Sequence, residues 1–199
     1  ARQWREAIPI LKNQPGFTES FLIDGKSPAA GQLWRYPAQA NTLREIADTE
    51  GESFYTGKLA QSMVDFAHSS GGCFTMADFA ANQTEWVEPL AFDYGDYTLH
   101  EIPPNGSGIV AQMALGILQA ANVKQYPANS VQHIHLQVEA MRMAFADAYT
   151  YVSDASTMRV PTSALLDRDY LASRAALINH HQAGSYGAGD PHAGGTVYL

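Results

Sequence analysis

Residues 130–152, SVQHIHLQVEAMRMAFADAYTYV, contain neither glycine nor proline. Within them Val131, Ile134, Val138, Met141, Phe145, Ala148 and Val152 recur at alternating spacings of three and four. That rhythm specifies a long amphipathic helix of roughly six turns with one continuous apolar stripe. Shorter segments with the helical rhythm are expected over residues 2–12 (interrupted by Pro9), from Ala38 to a stop at Gly51, from Gly57 to Ser70, from Ser107 to Ala121 and from Asp167 to Ile178. Thr75 followed three residues later by Asp78 is a capping-box variant that opens a short helix to about Asn82.

The period changes once. Trp86–Phe92 and Tyr97–Ile102 alternate, are rich in β-formers and flank Tyr94-Gly95-Asp96, so they predict a β-hairpin ended by Pro103-Pro104. Residues 13–37 are rich in proline, glycine and serine, with one apolar piece, Phe21-Leu22-Ile23, that ends at a turn at Asp24-Gly25. Residues 179–195 carry no periodicity and predict an exposed or disordered segment. The expected class is α+β, mainly helical with a β-hairpin. A length of 199 residues with 46% hydrophobic content suits one or two compact domains.

Several function classes are disfavoured at this stage. A net charge of −8 repels phosphate backbones and argues against nucleic-acid binding. The lone Cys73 excludes an internal disulfide and a multi-cysteine metal site. No run of eighteen apolar residues is present to span a membrane. The first residues, ARQWRE, have neither initiator Met nor signal-peptide pattern and read like the inside of a helix, so both ends are expected to be cut from something longer.

Gly106-Ser107-Gly108-Ile109-Val110-Ala111 satisfies G-x-G-x-x-A. A dinucleotide reading suffers because the preceding strand belongs to a hairpin, Pro103-Pro104 interrupts the entry, and no acid follows about twenty residues on. A small-residue corner between strand and helix is preferred. His135 and Glu139 share a helix face but His133 points elsewhere, so solvated or capping polar residues are preferred over a metal site. His180-His181 and His192 offer loose metal binding only, and Asn82-Gln83-Thr84 and Asn105-Gly106-Ser107 match the glycosylation tripeptide by a pattern common by chance.

Gly194-Gly195-Thr196 carries more chemistry. A threonine hydroxyl is protonated at neutral pH, but an N-terminal threonine has a free α-amine, with a pKa near 8, to accept its proton. An internal threonine generates that arrangement by attacking the carbonyl before it, and a glycine there leaves the carbonyl open. On local evidence alone, a loop entering a strand explains the same residues.

Residues 41–108, from NTLREIADTEGESFYTG through GGCFTMADF to EIPPNGSG, resemble the γ-glutamyltransferase family (γ-glutamyltranspeptidase, glutathione hydrolase) in order and spacing. EAMRMAFADAYTYVSD and VPTSALLDRDYLASR resemble the two helical segments that follow in that family. The resemblance runs through about residues 35–178 and resumes at the tail. It implies a precursor that cleaves itself before a threonine to give a large and a small chain, packed as an αββα N-terminal-nucleophile hydrolase sandwich.

Residues 1–178 would then be a partial large-chain region, 179–195 a flexible processing linker and 196–199 the start of the small chain. Gly195 and Thr196 align with the processing site, and Thr196 carries over as the nucleophile that attacks a γ-glutamyl amide. The partners implied are the small chain of the same precursor and a γ-glutamyl small molecule; the chemistry requires neither cofactor nor metal. Location in the periplasm or outside the cell follows from the resemblance alone. This chain by itself is expected to be inactive, since the oxyanion-hole glycines and the substrate-gripping arginine belong to other parts of the precursor. Ser153-Asp154-Ala155 stands where the family often has Gly-Asp-Pro, and Pro103-Pro104-Asn105-Gly106-Ser107-Gly108 where it has Pro-Pro-Pro-Ser-Ser-Gly-Gly. These departures leave the substrate open, with cephalosporin and poly-γ-glutamate acylases as alternatives. A non-enzymatic helical interaction domain, with Thr196 merely a strand residue, is the competing reading from another class.

Overall fold

In the computed structural model of the chain, residues 1–191 are described. They divide into two compact units, 1–84 and from 85 onward.

The first unit contains α1 (Arg2–Leu11), α2 (Phe17–Phe21), α3 (Pro37–Asp48), α4 (Glu52–Tyr55), α5 (Lys58–Ser69) and α6 (Met76–Ala80). Its N-terminal half is organised by rings, in place of a periodic stripe. Trp34 stacks on Phe21 at a centroid distance of 6.0 Å and meets Trp4 edge-on at 5.1 Å. Phe21 also stacks on Phe17 at 5.5 Å. Such pairs stabilise by ~0.5–1.5 kcal/mol each beyond their area burial. Pro37 opens α3, where its missing N–H costs nothing. Gly51, at φ 91°, makes the left-handed step between α3 and α4. The α5 helix buries Ala60, Val64 and Ala67. Thr75 and Asp78 form the expected capping box at the start of α6.

The second unit contains β1 (Leu90–Tyr94), β2 (Tyr97–Glu101), α7 (Ile109–Ala120), a 3-10 turn at Val123–Gln125, α8 (Val131–Tyr151), α9 (Thr162–Leu165) and α10 (Arg168–Ala175). The strands form the expected antiparallel hairpin, in register from Leu90↔Glu101 to Tyr94↔Tyr97. It is shorter than the alternation predicts: residues 86–89 stay outside the ladder, and Pro89 has no N–H to give it. The architecture among the described residues is thus mainly helical with one two-stranded sheet.

Helix α7 is the centre of this unit. Ile109, Val110, Met113, Ala114, Ile117 and Leu118 are all buried, in one cluster with Phe92 of β1, Leu136 and Met143 of α8, and Leu171 of α10. Gly116 permits that convergence: a Cβ there would lie 2.3 Å from Leu171 Cδ1 and 2.8 Å from Phe92 Cζ. The wholly buried Gln112 donates from Nε2 to the Leu90 carbonyl at 2.8 Å and to the Leu99 carbonyl at 3.1 Å, hanging both strands of the hairpin on the helix.

Helix α8 has the predicted extent, but of the predicted stripe only Ala148 is buried on its inner face, with Val152 partly buried against the core. Val131 is 80% exposed and Val138 50%, and Ile134, Met141 and Phe145 are also exposed. The face turned to the core is Leu136, Glu139, Ala140, Met143, Ala144, Asp147 and Ala148. Small Ala140, Ala144 and Ala148 are buried on this face with the core around α7, and its two carboxylates find partners in the segment after α10.

Candidate functional site

Thr196 and Gly195, the predicted nucleophile and processing position, lie outside the described residues, as does His192. The described chain shows how the segment leading towards them is held. Residues 179–191 form no regular element, as the missing periodicity implies, and most are exposed. They are nevertheless tied down by backbone and side-chain hydrogen bonds at several points.

Asn179 begins the segment, its carbonyl 2.8 Å from His135 Nε2. Glu139 Oε2 then accepts from the Gly184 N–H at 2.7 Å and from the Tyr186 hydroxyl at 2.5 Å. Its other oxygen accepts from Arg142 at 3.1 Å, and the Arg142 guanidinium lies 5.8 Å over the Tyr186 ring. Just over two turns further along α8, Asp147 Oδ1 accepts from the Gly189 N–H at 2.8 Å and lies 3.2 Å from Arg174 Nη2. Arg174, from α10, donates to the Gly187 carbonyl at 2.7 Å. Tyr151, at the end of α8, donates to the Gly189 carbonyl at 2.5 Å. Within six residues, four backbone groups and one hydroxyl of the segment are engaged by side chains of α8 and α10.

The geometry is enclosed. Glu139, Asp147 and Arg174 are 1%, 0% and 4% exposed. Gly189 fits against the Tyr170 hydroxyl and the Arg174 stem, where a Cβ would come within 2.6 Å and 2.8 Å. Burial would raise the Glu139 carboxyl, but hydrogen bonds from Tyr186, Gly184 and Arg142 outweigh it and hold the group below its ordinary value. Burial, then the Glu139 hydrogen bond, pushes the Tyr186 phenol up to about 12. Burial and the neighbouring Asp147 carboxylate raise the Tyr170 phenol as well. Asp147 Oδ2, the Tyr170 hydroxyl and Arg174 Nε lie together without a well-aligned hydrogen-bond partner among the described residues.

Glu139 therefore differs from the expectation of a solvated or capping polar residue: it is buried and bonded to the segment. Sequence reading did not single out Asp147, Arg174 or Tyr151. The available signal was two carboxylates placed among Ala140, Ala144 and Ala148 on one helix face. The other candidates stay apart. No three His, Cys, Asp or Glu side chains converge among the described residues. At the G-x-G-x-x-A segment the Glu101 carboxylate lies against Gly108, 2.4 Å from where a Cβ would stand, so a carboxylate already occupies the start of α7. Among the described residues no helix is long and apolar enough to cross a membrane.

Comparison with known proteins addresses the resemblance directly. A family model described as Gamma-glutamyltranspeptidase matches residues 1–199. The glutathione hydrolase proenzyme of Pseudomonas aeruginosa is 36% identical over 178 residues, 88% of this chain and 31% of that protein. The oxamate amidohydrolase proenzyme of Klebsiella pneumoniae is 32% identical over 189 residues, 95% of this chain and 35% of that protein. The crystal structure of a cephalosporin acylase from Bacillus halodurans superposes with a TM-score of 0.83 at 39% identity, covering 96% of this chain and 36% of that one. The chain thus spans about a third of the length of the curated relatives it matches. With a family match along its whole length and a fold shared with a solved relative, the chain belongs to the γ-glutamyltranspeptidase family.

Proposed function

We propose that this chain is part of a proenzyme that cleaves itself between Gly195 and Thr196 and then uses Thr196 as the nucleophile in amide-bond cleavage. The observation that carries the reading is the family match over residues 1–199, which takes in Gly194-Gly195-Thr196. In the processing step, Thr196 Oγ adds to the Gly195 carbonyl carbon. The Gly195–Thr196 C–N bond breaks, the hydroxyl proton passes to the leaving nitrogen, and an ester forms. Water hydrolyses that ester, giving a Gly195 carboxylate, the Thr196 hydroxyl and a free α-amine. In turnover the α-amine takes the hydroxyl proton, Oγ adds to the substrate carbonyl, and the substrate amine leaves with a proton. Water or an amino-acid amine then adds to the acyl-enzyme carbonyl, the bond to Thr196 Oγ breaks, and the acyl group leaves on the acceptor while a proton returns to Oγ.

The substrate class in this reading is a γ-glutamyl amide of the glutathione type. The likeness to the Bacillus halodurans cephalosporin acylase favours a second reading, an acylase acting on a bulkier acyl amide. The partner is the remainder of the same precursor. Val138, Met141 and Phe145, exposed on α8, line a groove of about 680 Å³ together with Tyr149 and Tyr186, an apolar surface that suits contact with such a partner. Location in the periplasm or beyond remains part of the proposal. The test is kcat/KM of the full-length protein for a γ-glutamyl anilide against an N-acyl cephalosporin. A preference for the anilide supports the first reading, a preference for the cephalosporin the second, and turnover of neither removes both.

A further inference from the structure

We propose that Asp147, Glu139, Arg174 and Tyr151 are positioning residues for self-cleavage: they fix residues 184–189 and so shorten the tether that carries the Gly195–Thr196 bond. The inference rests on the function proposed above and goes beyond it by assigning these four side chains a task.

The core of the second unit does not need them. Buried ionised groups are costly, and well-packed apolar residues of similar volume stabilise a helix face at least as well. What an apolar residue cannot do is hold the backbone of an irregular segment. Here both carboxylates and the guanidinium do so. Glu139 takes the Gly184 N–H, Arg174 the Gly187 carbonyl and Asp147 the Gly189 N–H, while Tyr151 takes the Gly189 carbonyl. Gly189 is seated where no side chain fits, against Tyr170 and Arg174. These ties reach as far as Gly189, and the sequence beyond it leads to the scissile bond.

Six residues separate Gly189 from Gly195, a contour of at most about 22 Å. Without the anchors, the last buried residue before the segment is Ile178, seventeen residues from Gly195, with a reach of about 60 Å. The family resemblance implies that the oxyanion donors lie in another part of the precursor, so the bond must be presented to them. Were the intervening residues an unconstrained chain, the probability of presentation would fall as the −3/2 power of its length, which sets an upper bound on the effect. Lengthening it from six residues to seventeen lowers that probability about five-fold.

The test uses the full-length precursor. The first-order rate of the break between Gly195 and Thr196 is followed by intact mass for wild type, Asp147→Ala, Asp147→Asn and Tyr151→Phe. Tyr151→Phe removes one hydroxyl and keeps the ring, so it remains informative if the aspartate variants fold poorly. In parallel, each variant is made with a site-specific protease sequence immediately before Thr196, so that added protease frees the threonine. The proposal expects Asp147→Ala to cleave itself more slowly than wild type, by up to about five-fold because the Glu139, Arg174 and Tyr151 ties remain, Asp147→Asn and Tyr151→Phe to fall between it and wild type, and all protease-released enzymes to keep wild-type kcat/KM. Self-cleavage at the wild-type rate in every variant overturns it. So does a parallel loss of kcat/KM in the released enzymes, which marks a merely structural role. A wild-type precursor whose bond never breaks removes the function reading itself, and with it this inference.

Discussion

Gly187 and Gly189 stand two residues apart in the same irregular segment, yet alanine at the two positions should have opposite consequences. Neither glycine has a positive φ, so alanine strains the backbone at neither. At Gly187 a Cβ meets nothing within 4 Å. At Gly189 it would lie 2.6 Å from the Tyr170 hydroxyl, 2.8 Å from Arg174 Cδ and 3.0 Å from Tyr170 Cε2. These atoms cannot swing away cheaply, because Tyr170 is 7% exposed and Arg174 4%. Relief comes either from shifting a buried ring or from undocking Gly189, which gives up its bonds to Asp147 and Tyr151. Overpacking of this kind costs about 1–3 kcal/mol, equivalent to roughly 5- to 150-fold faster local opening. Amide hydrogen exchange across residues 184–189 of the full-length protein reads this directly. Gly189→Ala should accelerate exchange within that range, and Gly187→Ala should leave it within about two-fold of wild type, the usual effect of a surface change. Equal protection in the two variants would refute the steric argument for a seated Gly189.

Gly116→Ala should lower the stability of the second unit by about 1–3 kcal/mol in a denaturant titration, since its Cβ would enter the space of Leu171 and Phe92. Because the Glu139 carboxyl is held below its ordinary value of 4.5, the stability it contributes is fully present above that pH and is lost as pH falls through the depressed native value. The gap in melting temperature between wild type and Glu139→Gln should therefore be constant above about pH 5 and close at lower pH. Val138→Asp, at a residue half-exposed in this chain, should destabilise the full-length precursor by more than about 1 kcal/mol if that face is covered there. A change within 0.5 kcal/mol, usual for solvated sites, would show the face to be free.

Much of the fold was legible because the relevant interactions are local or periodic. The capping box at Thr75 and Asp78 needs only residues three apart, and the hairpin needs only alternation about a Gly95 turn. The extents of α7 and α8 follow from rhythm and from the residues that end them. Which face of α8 turns inward was not legible. Periodicity selected Val131, Ile134, Val138, Met141 and Phe145 along with Ala148, whereas the buried face also uses Ala140 and Ala144, which rhythm did not mark. The short α2 was missed because ring contacts with Trp34 stabilise it, and those partners are distant in sequence. The ties of residues 184–189 were invisible for a related reason. Their partners are backbone amides and carbonyls, which every residue type except proline offers equally. At the candidate site, Thr196 was singled out by the chemistry of an N-terminal threonine and by resemblance, whereas Asp147 and Arg174 became apparent only in three dimensions.

In the proposed function Thr196 becomes a free N-terminus by its own attack on Gly195. Mass spectrometry of the purified full-length protein tests it in one measurement. Self-processing should give two chains separated between Gly195 and Thr196 in wild type, and a single uncleaved chain in Thr196→Ala. An intact Gly195–Thr196 bond in wild type, or the same break in Thr196→Ala, would contradict it.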